Sequence, residues 1–449
     1  MGQNERVTDL VQAAVDSTDA NGASVLDDLL WRGLVAVSTD LGALREVLAA
    51  GSIAFYCGFD PTAESLHVGN LVQLLTMRRL QDAGHRPIAL VGGATGLIGD
   101  PKPDAERTLN DSATVAAWVD RIEAQVRPLL GFDGPNATIL VNNLDWTAQL
   151  SALDLLRDVG QHFRVNRMLA KEVVSARLAS AAGISYTEFS YQVLQALDFL
   201  ELYRRHGCVL QTGGSDQWGN LTAGLDLIHR VEGVTAHALA TPLITKSDGT
   251  KFGKTETGTV WLDPAMTSPY AFYQFWLNAD DRDAVNYLKI FSLRPRSEIE
   301  ALEQSLARRP AAREAQRALA DELTTLLHGG AATQAAVRAG RALFGQGDLR
   351  DLDESTLAAA LEETGSVRAP SSAATFAELL HIGGLAPSLA GARRVVAEGG
   401  AYANNERLAE ADASPSPEQY LHRRWLVLRR GKRSVVGVEA AAPSGDPSA

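Results

Sequence analysis

Residues 53–70, IAFYCGFDPTAESLHVGN, decide the fold. An apolar run of strand length stops at Asp60-Pro61-Thr62, and a few residues later a helical pattern opens, SLHVGNLVQLLTMRRLQDAG. A strand, a turn and a helix are therefore predicted, with Ser65 able to cap the helix and with His67 and Gly69 in its first turn. Free N–H groups and the positive end of the helix dipole favour an anion at such a point. Gly69 would let a nucleotide approach the backbone, and His67 can donate to phosphate oxygens. A plain surface or capping role for the histidine is the alternative.

Working outward, the same alternation continues to about Ile244. The apolar runs PIALVGG, ATILVNN and CVLQTGG are separated by longer helical patterns such as EFSYQVLQALDFLELYRRHG. This reads as an α/β fold, a parallel sheet covered by helices, whose ligands bind where the carboxyl ends of the strands open into a crevice. After Trp261 the pattern becomes nearly all helical, beginning near Ser268, until TGSVRAPSSAA reads as a linker. The remaining segment suggests two short helices, a glycine turn and a strand, ending in RRWLVLRRGKR. The expected divisions are a mobile N-terminal extension (1–25), an α/β domain (26–265), a helical domain (266–364), a linker (365–373) and a small α+β domain (374–449). A chain of 449 residues has room for about three domains.

The net charge of −12 excludes a protein that coats nucleic acid with its whole surface, so any such contact must be local. No apolar run approaches the roughly 20 residues of a membrane span and the start lacks a signal-peptide core, which points to the cytoplasm and away from a membrane. Two distant cysteines, Cys57 and Cys208, fit reduced thiols and no structural metal site.

A second motif is SDGTKFGKT, residues 247–255, where Lys251 and Lys254 sit among glycines and small polar residues that favour a loop. Attack on the α-phosphorus of ATP builds negative charge on the pentavalent centre and on departing pyrophosphate. Lysines brought to that charge favour the transition state over the ground state. A solvated basic loop is the alternative. Tyr191, Gln195 and Asp198 are spaced i, i+4, i+7 and so emerge on one helix face, where one ligand could touch all three or where they form only a polar stripe.

Together the two motifs resemble the paired signatures of class I aminoacyl-tRNA synthetases. The counterparts here are His67-Val68-Gly69-Asn70 and Lys251-Phe252-Gly253-Lys254-Thr255, with Asn70 standing where the family usually has a second histidine. An asparagine amide can donate to a ribose as an imidazole does, though it cannot do acid–base work. Within the class, YCGFDPTAESLHVGN, LVGGATGLIGDP, TEFSYQVLQALDF and GGSDQWGN are similar to blocks of the bacterial-type tyrosyl-tRNA synthetases, in the expected order, and the resemblance runs from about Ser24 to the end.

That resemblance implies a Rossmann-like catalytic domain, a helical anticodon-recognition domain, a terminal domain like the ribosomal S4 RNA-binding module, and a homodimer. It implies ATP with Mg²⁺, L-tyrosine and tRNA(Tyr) as ligands, and a tyrosine–tRNA ligase activity through a tyrosyl-adenylate. Tyr56 and Asp198 would bind the substrate phenol; Asp100, Tyr191 and Gln195 its α-ammonium; and Gln217 would lie along the amino-acid site. Gly214 and Asp216 would meet the adenosine and ribose, a helix cap at Ser215 or Asp216 being the alternative. Asp60, His67, Gly69, Asn70 and Lys254 would hold ATP, and Thr62, His67, Arg107, Lys251 and Lys254 would contact the triphosphate. GDPKPDAERT is about one residue shorter than the usual family loop and lacks its lysine, a place that Lys102 could take. Arg423, Arg424, Arg429, Arg430, Lys432 and Arg433 would face tRNA phosphates, unless they form a plain solvated basic strand.

Three readings compete. A tryptophan-specific relative would have no use for the phenol-directed pair of Tyr56 and Asp198. A nucleotidyltransferase of the same type acting on a small acid would not need the helical and S4-like segments. A non-catalytic RNA-binding descendant could have lost the lysine loop, whereas His67, Lys251 and Lys254 are all present.

Overall fold

A computed structural model describes residues 24–102, 108–181, 183–250, 252–255, 258–371 and 373–441. The expected extension over residues 1–25 lies almost entirely outside the described residues. The chain divides into two compact units, Met1–Asp263 with Ala279–Leu319, and Pro264–Asn278 with Ala320–Ala449. The helical segment expected over 266–364 is thus divided between the two units, with Ala279–Leu319 belonging to the first.

The first unit is built on a six-stranded sheet: β1 (Val37–Ser38), β2 (Ala54–Phe59), β3 (Arg86–Val91), β4 (Ile139–Asn142), β5 (Cys208–Gly214) and β6 (His237–Thr241), in the order β1-β6-β5-β2-β3-β4. All neighbours are parallel except β1, which runs antiparallel to β6. The four apolar runs picked out in the sequence are β2 to β5. The sequence reading missed β6, because HALAT is poor in branched and aromatic residues, yet all five of its residues are buried. From β2 the chain moves through β3 to β4 on one side and returns through β5 to β6 on the other. The order reverses between β2 and β5, and a crevice is expected at their carboxyl ends.

Helices α1 (Val68–Asp82), α2 (Ser112–Val126), α3 (Tyr186–His206), α4 (Trp218–Glu232) and α5 (Asp281–Phe291) belong to this unit. The cap of α1 differs from expectation. His67, not Ser65, is the N-cap: its ring accepts from Gly69 N–H at 3.0 Å, and Asn70 Oδ1 accepts from His67 N–H at 3.1 Å, closing a capping box. Ser65 Oγ instead donates to Leu66 O and accepts from Asp263 N–H. At its other end α5 is held by two buried arginines: Arg79 of α1 donates to Ile290 O and Ser292 O, and Arg32 donates to Lys289 O and Ser292 O. They satisfy carbonyls that a helix C-terminus leaves open.

The second unit holds a five-stranded sheet of β9 (Ser366–Arg368), β10 (Ala401–Ala403), β11 (Glu406–Arg407), β12 (Trp425–Arg430) and β13 (Ser434–Glu439), in the order β11-β10-β12-β13-β9. Helices α6 (Glu354–Thr364), α7 (Phe376–Ile382) and α8 (Leu389–Ala397) belong to the same unit, with Leu379, Leu380, Val395 and Val396 in one core with Leu426, Leu428, Val436 and Val438. Part of the expected linker is thus structural: Ser366–Arg368 pairs parallel with Gly437–Glu439. Leu361 of α6 lies so close to Gly437 that a Cβ there would fall 2.9 Å from it.

Candidate active site

Polar side chains gather at the carboxyl ends of β2, β3, β4 and β5. Asp60, just past β2, accepts from Thr95 Oγ1 at 2.7 Å and from Tyr191 Oη at 2.6 Å, which joins the exits of β2 and β3 to helix α3. The backbone at the β3 exit approaches closely, since a Cβ on Gly92 would fall 2.1 Å from Asp60 Oδ1. Burial, followed by the charges of Asp60 and Asp100, raises the Tyr191 pKa well above its ordinary value, so the phenol stays protonated and donates.

Below this, Tyr56 on β2 is 1% exposed and its ring lies 5.1 Å from that of Phe199. Its hydroxyl is buried and finds no hydrogen-bond partner among the described residues. Asp198 on α3 is 2% exposed and accepts from Asn143 Nδ2 at 3.0 Å and Trp146 Nε1 at 2.9 Å. Burial pushes its pKa up to about 7, against the lowering effect of those two donors. Its charge also acts on Tyr56, whose pKa burial and then Asp198 raise. Gln195, one turn before Asp198, has a buried Oε1 that also finds no partner among the described residues. Two unmatched polar atoms beside a buried carboxylate suit a ligand carrying its own donors and acceptors.

At the β5 exit, Gln217 Nε2 donates to Asp100 Oδ2 at 3.0 Å and Asn220 Nδ2 to Asp100 Oδ1 at 3.1 Å. Gly214 is the turn itself, and a Cβ there would fall 2.4 Å from Asp216 Oδ1. Neither Ser215 nor Asp216 caps a helix, so the exposed Asp216 carboxylate is not occupied in that way. The loop after Asp100 is anchored from behind. Arg177, 1% exposed, donates to Lys102 O at 2.9 Å and Gly183 O at 2.9 Å and pairs with the buried Glu188 at 2.8 Å. A cavity of about 200 Å³ flanks this side, lined among others by Arg164, Arg167, Lys171 and Arg230. Burial lowers the Lys171 pKa to about 8, with Asp100 acting the other way.

The geometry brings together Tyr56, Asp60, Asp100, Tyr191, Gln195, Asp198 and Gln217 around the strand exits. Thr62 is exposed beyond β2, and His67, Gly69 and Asn70 form the start of α1. Arg107 and Lys251 lie outside the described residues, and Lys254 is described only as backbone, in the two-residue strand β7 (Lys254–Thr255), which pairs antiparallel with β8 (Gly258–Thr259). In the second unit the basic residues divide. Arg429 is buried against the Tyr402 ring and bonded to Asn405 Oδ1, and Arg424 pairs with Glu354 and Glu439. Among the described residues, Arg423, Arg430, Lys432 and Arg433 are exposed with no acidic partner, and Arg430 donates to Leu385 O at 2.9 Å, so the six basic residues are not alike. The sequence reading missed Thr95, Asn143, Trp146, Lys171 and Asn220. Its one available signal was the Asn142-Asn143 pair ending the apolar run ATILV at a strand exit.

Comparison with known proteins agrees with this geometry. A family model of tRNA synthetases class I (W and Y) matches residues 49–345, and one of the tyrosine–tRNA ligase SYY-like C-terminal domain matches residues 356–436. Curated tyrosine–tRNA ligases of Streptomyces avermitilis and Acidothermus cellulolyticus are 65% and 62% identical, covering 92% and 93% of this chain and 98% and 99% of theirs. Among solved structures, a C-terminally truncated mitochondrial tyrosyl-tRNA synthetase of Coccidioides posadasii is 30% identical with a TM-score of 0.63, covering 74% of this chain and 96% of that one. The two family matches, the long relatives and the reversed sheet with its polar strand exits converge: the chain belongs to the tyrosine–tRNA ligases of the class I tRNA synthetases.

Proposed function

We propose that this chain activates L-tyrosine with ATP and transfers the tyrosyl group to the 3′ end of tRNA(Tyr), with the residue roles that follow. The observation that carries the reading is the buried, unmatched Tyr56 hydroxyl beside an Asp198 carboxylate already held by two donors. A phenol placed there gives Tyr56 a partner and donates to Asp198. Tyr191, Asp100 and Gln195 lie around the other end of such a ligand and offer acceptors to an α-ammonium, with Gln217 fixing Asp100.

No protein nucleophile is required. The tyrosine carboxylate forms a bond to the α-phosphorus of ATP, pyrophosphate leaves, and a terminal ribose hydroxyl of the tRNA then displaces AMP at the tyrosyl carbonyl. The protein contributes position and charge. The positive end of the α1 dipole, with His67, Gly69 and Asn70, suits the phosphates, while Gly214 and Asp216 suit the adenosine. Asp60, bonded to both Thr95 and Tyr191, links the two halves of the site. Thr62, Arg107, Lys251 and Lys254 supply the remaining triphosphate contacts in this reading. Mg²⁺ enters with ATP as part of the substrate, held by phosphate oxygens and water.

The helical segment 266–364 is assigned to anticodon recognition, and Arg423, Arg430, Lys432 and Arg433 to tRNA phosphates. A homodimer is supported by exposed apolar side chains: seven of the fifteen large ones among the described residues fall between Leu144 and Tyr186. A cytoplasmic setting is part of this reading; among the described residues no helix is long and apolar enough to cross a membrane. The test is ATP–pyrophosphate exchange with each amino acid in turn. Exchange with tyrosine and not with tryptophan or phenylalanine is expected, and equal exchange with tryptophan would overturn the assignment of the Tyr56–Asp198 pocket.

A further inference from the structure

Asp283, Tyr287 and Phe291 are spaced i, i+4, i+8 and so share one face of α5. That face receives the segment carrying the two lysines. Ser247, which begins it, donates its N–H to Asp283 Oδ1 at 3.0 Å and to Oδ2 at 3.2 Å, and its hydroxyl to Oδ2 at 3.2 Å. Phe252 lies 5.1 Å from the Tyr287 ring and is stacked 5.2 Å from the Phe291 ring. All three platform residues are buried.

On its other side the segment is tied to the start of α1. Gly253 has φ +75, and a Cβ there would fall 2.6 Å from Val68 Cγ2. Gly253 O accepts from Val260 N–H at 2.9 Å, and Val260 O accepts from Val68 N–H at 3.1 Å. His67 and Trp261 form a β-bridge. Phe252 and Gly253 are thus held between α5 and the His67-capped end of α1, and α1 in turn grips α5 through Arg79. Lys251 and Lys254 flank this held pair in sequence.

We propose that Phe252 is an anchor and that Asp283, Tyr287 and Phe291 are positioning residues, together setting where Lys251 and Lys254 are delivered to the triphosphate during adenylate formation. The inference rests on the proposed role of the lysines. None of the platform residues touches substrate in this account; they act through the loop. A displacement of about an ångström at a charge-stabilising group costs on the order of 100-fold in rate.

The test is single-turnover adenylate formation with the full-length protein, comparing Phe252→Ala, Phe252→Leu, Asp283→Asn and Lys251→Ala/Lys254→Ala, with tyrosine binding measured in parallel. Phe252→Ala should slow the step on the order of 10- to 100-fold while the tyrosine Kd stays within about twofold, and Phe252→Leu should recover part of the loss. In the Lys251→Ala/Lys254→Ala background, Phe252→Ala should add less than about twofold, because there is nothing left for the anchor to position. If the double lysine variant forms adenylate at the normal rate, the role of the lysines fails and this inference with it. If the lysine variant is slow but Phe252→Ala and Asp283→Asn are not, the anchor alone is refuted. Equal loss from Phe252→Ala with and without the lysines would also refute it, since that is the signature of a general packing defect.

Discussion

Tyr56→Phe isolates one hydroxyl with little disturbance of packing. The ring stays, its contact with Phe199 stays, and no cavity forms in a site only 1% exposed. In the unliganded protein the lost oxygen had no partner among the described residues, so its removal should leave stability unchanged or raise it. A buried unsatisfied hydroxyl costs about 1–3 kcal/mol, and a pocket water would offset part of that. The expected change in melting temperature is between zero and a rise of a few degrees, at about 2–4 °C per kcal/mol for a body of this size. With tyrosine bound, the substitution leaves the substrate phenol one partner short, again about 1–3 kcal/mol, or roughly a 5- to 150-fold fall in kcat/KM for tyrosine. Phenylalanine has no hydroxyl to strand and should lose nothing. The assays are ATP–pyrophosphate exchange with both amino acids and thermal unfolding without ligand. A ratio of tyrosine to phenylalanine activity that changes by less than about twofold would refute the reasoning, as would a fall of several degrees in melting temperature.

Asp198 carries a pH signature. Its pKa is raised to about 7, so its ionisation opposes folding, and the relative stability it contributes is full below about pH 4 and lost as pH rises through 7. Ligand binding should run the other way: tyrosine affinity is expected to rise about fivefold across pH 6–8 as the carboxylate forms and accepts from the phenol, and Asp198→Asn should flatten the profile. A wild-type profile as flat as the variant's would show that Asp198 does not meet the phenol. Replacing Arg430, Lys432 and Arg433 together by alanine should weaken tRNA binding and lower the slope of log affinity against log salt by about 2–3, leaving pyrophosphate exchange intact. An unchanged slope in filter binding would remove these residues from the interface. Arg429→Ala should instead act as a folding defect, because its guanidinium is buried on Tyr402, and thermal unfolding would register it.

Much of the sheet was legible because β2 to β5 are branched and aromatic runs ending in glycine, aspartate or asparagine. β6 was not, because its alanines are strand residues only by virtue of burial between neighbours. The site showed the same division. Tyr191, Gln195 and Asp198 declare themselves by helical spacing, whereas Asn143 and Trp146 reach Asp198 from 55 and 52 residues away and belong to no local pattern. The end of the chain was misjudged where composition imitated a linker: Ser366–Arg368 is short and polar-flanked, yet it completes a sheet whose other strands lie more than 30 residues later. Among the arginines of RRWLVLRRGKR, Arg430 falls on the strand face of Leu426 and Leu428 but ends the strand and stays exposed, whereas Arg429 falls on the other face and is buried on Tyr402, a distinction visible only once the strand's ends and neighbours are known.

The anchorage of the loop after Asp100 reads the main chain. Arg177 grips the carbonyl of residue 102 and is indifferent to which side chain that residue bears. An exchange of the side chain at position 102 therefore leaves that anchor in place. The carboxylate of Asp100 is insulated from such changes by a hinge pin on its far side. A different residue at position 102 can be accommodated there with Asp100 and the amino-acid pocket left in register.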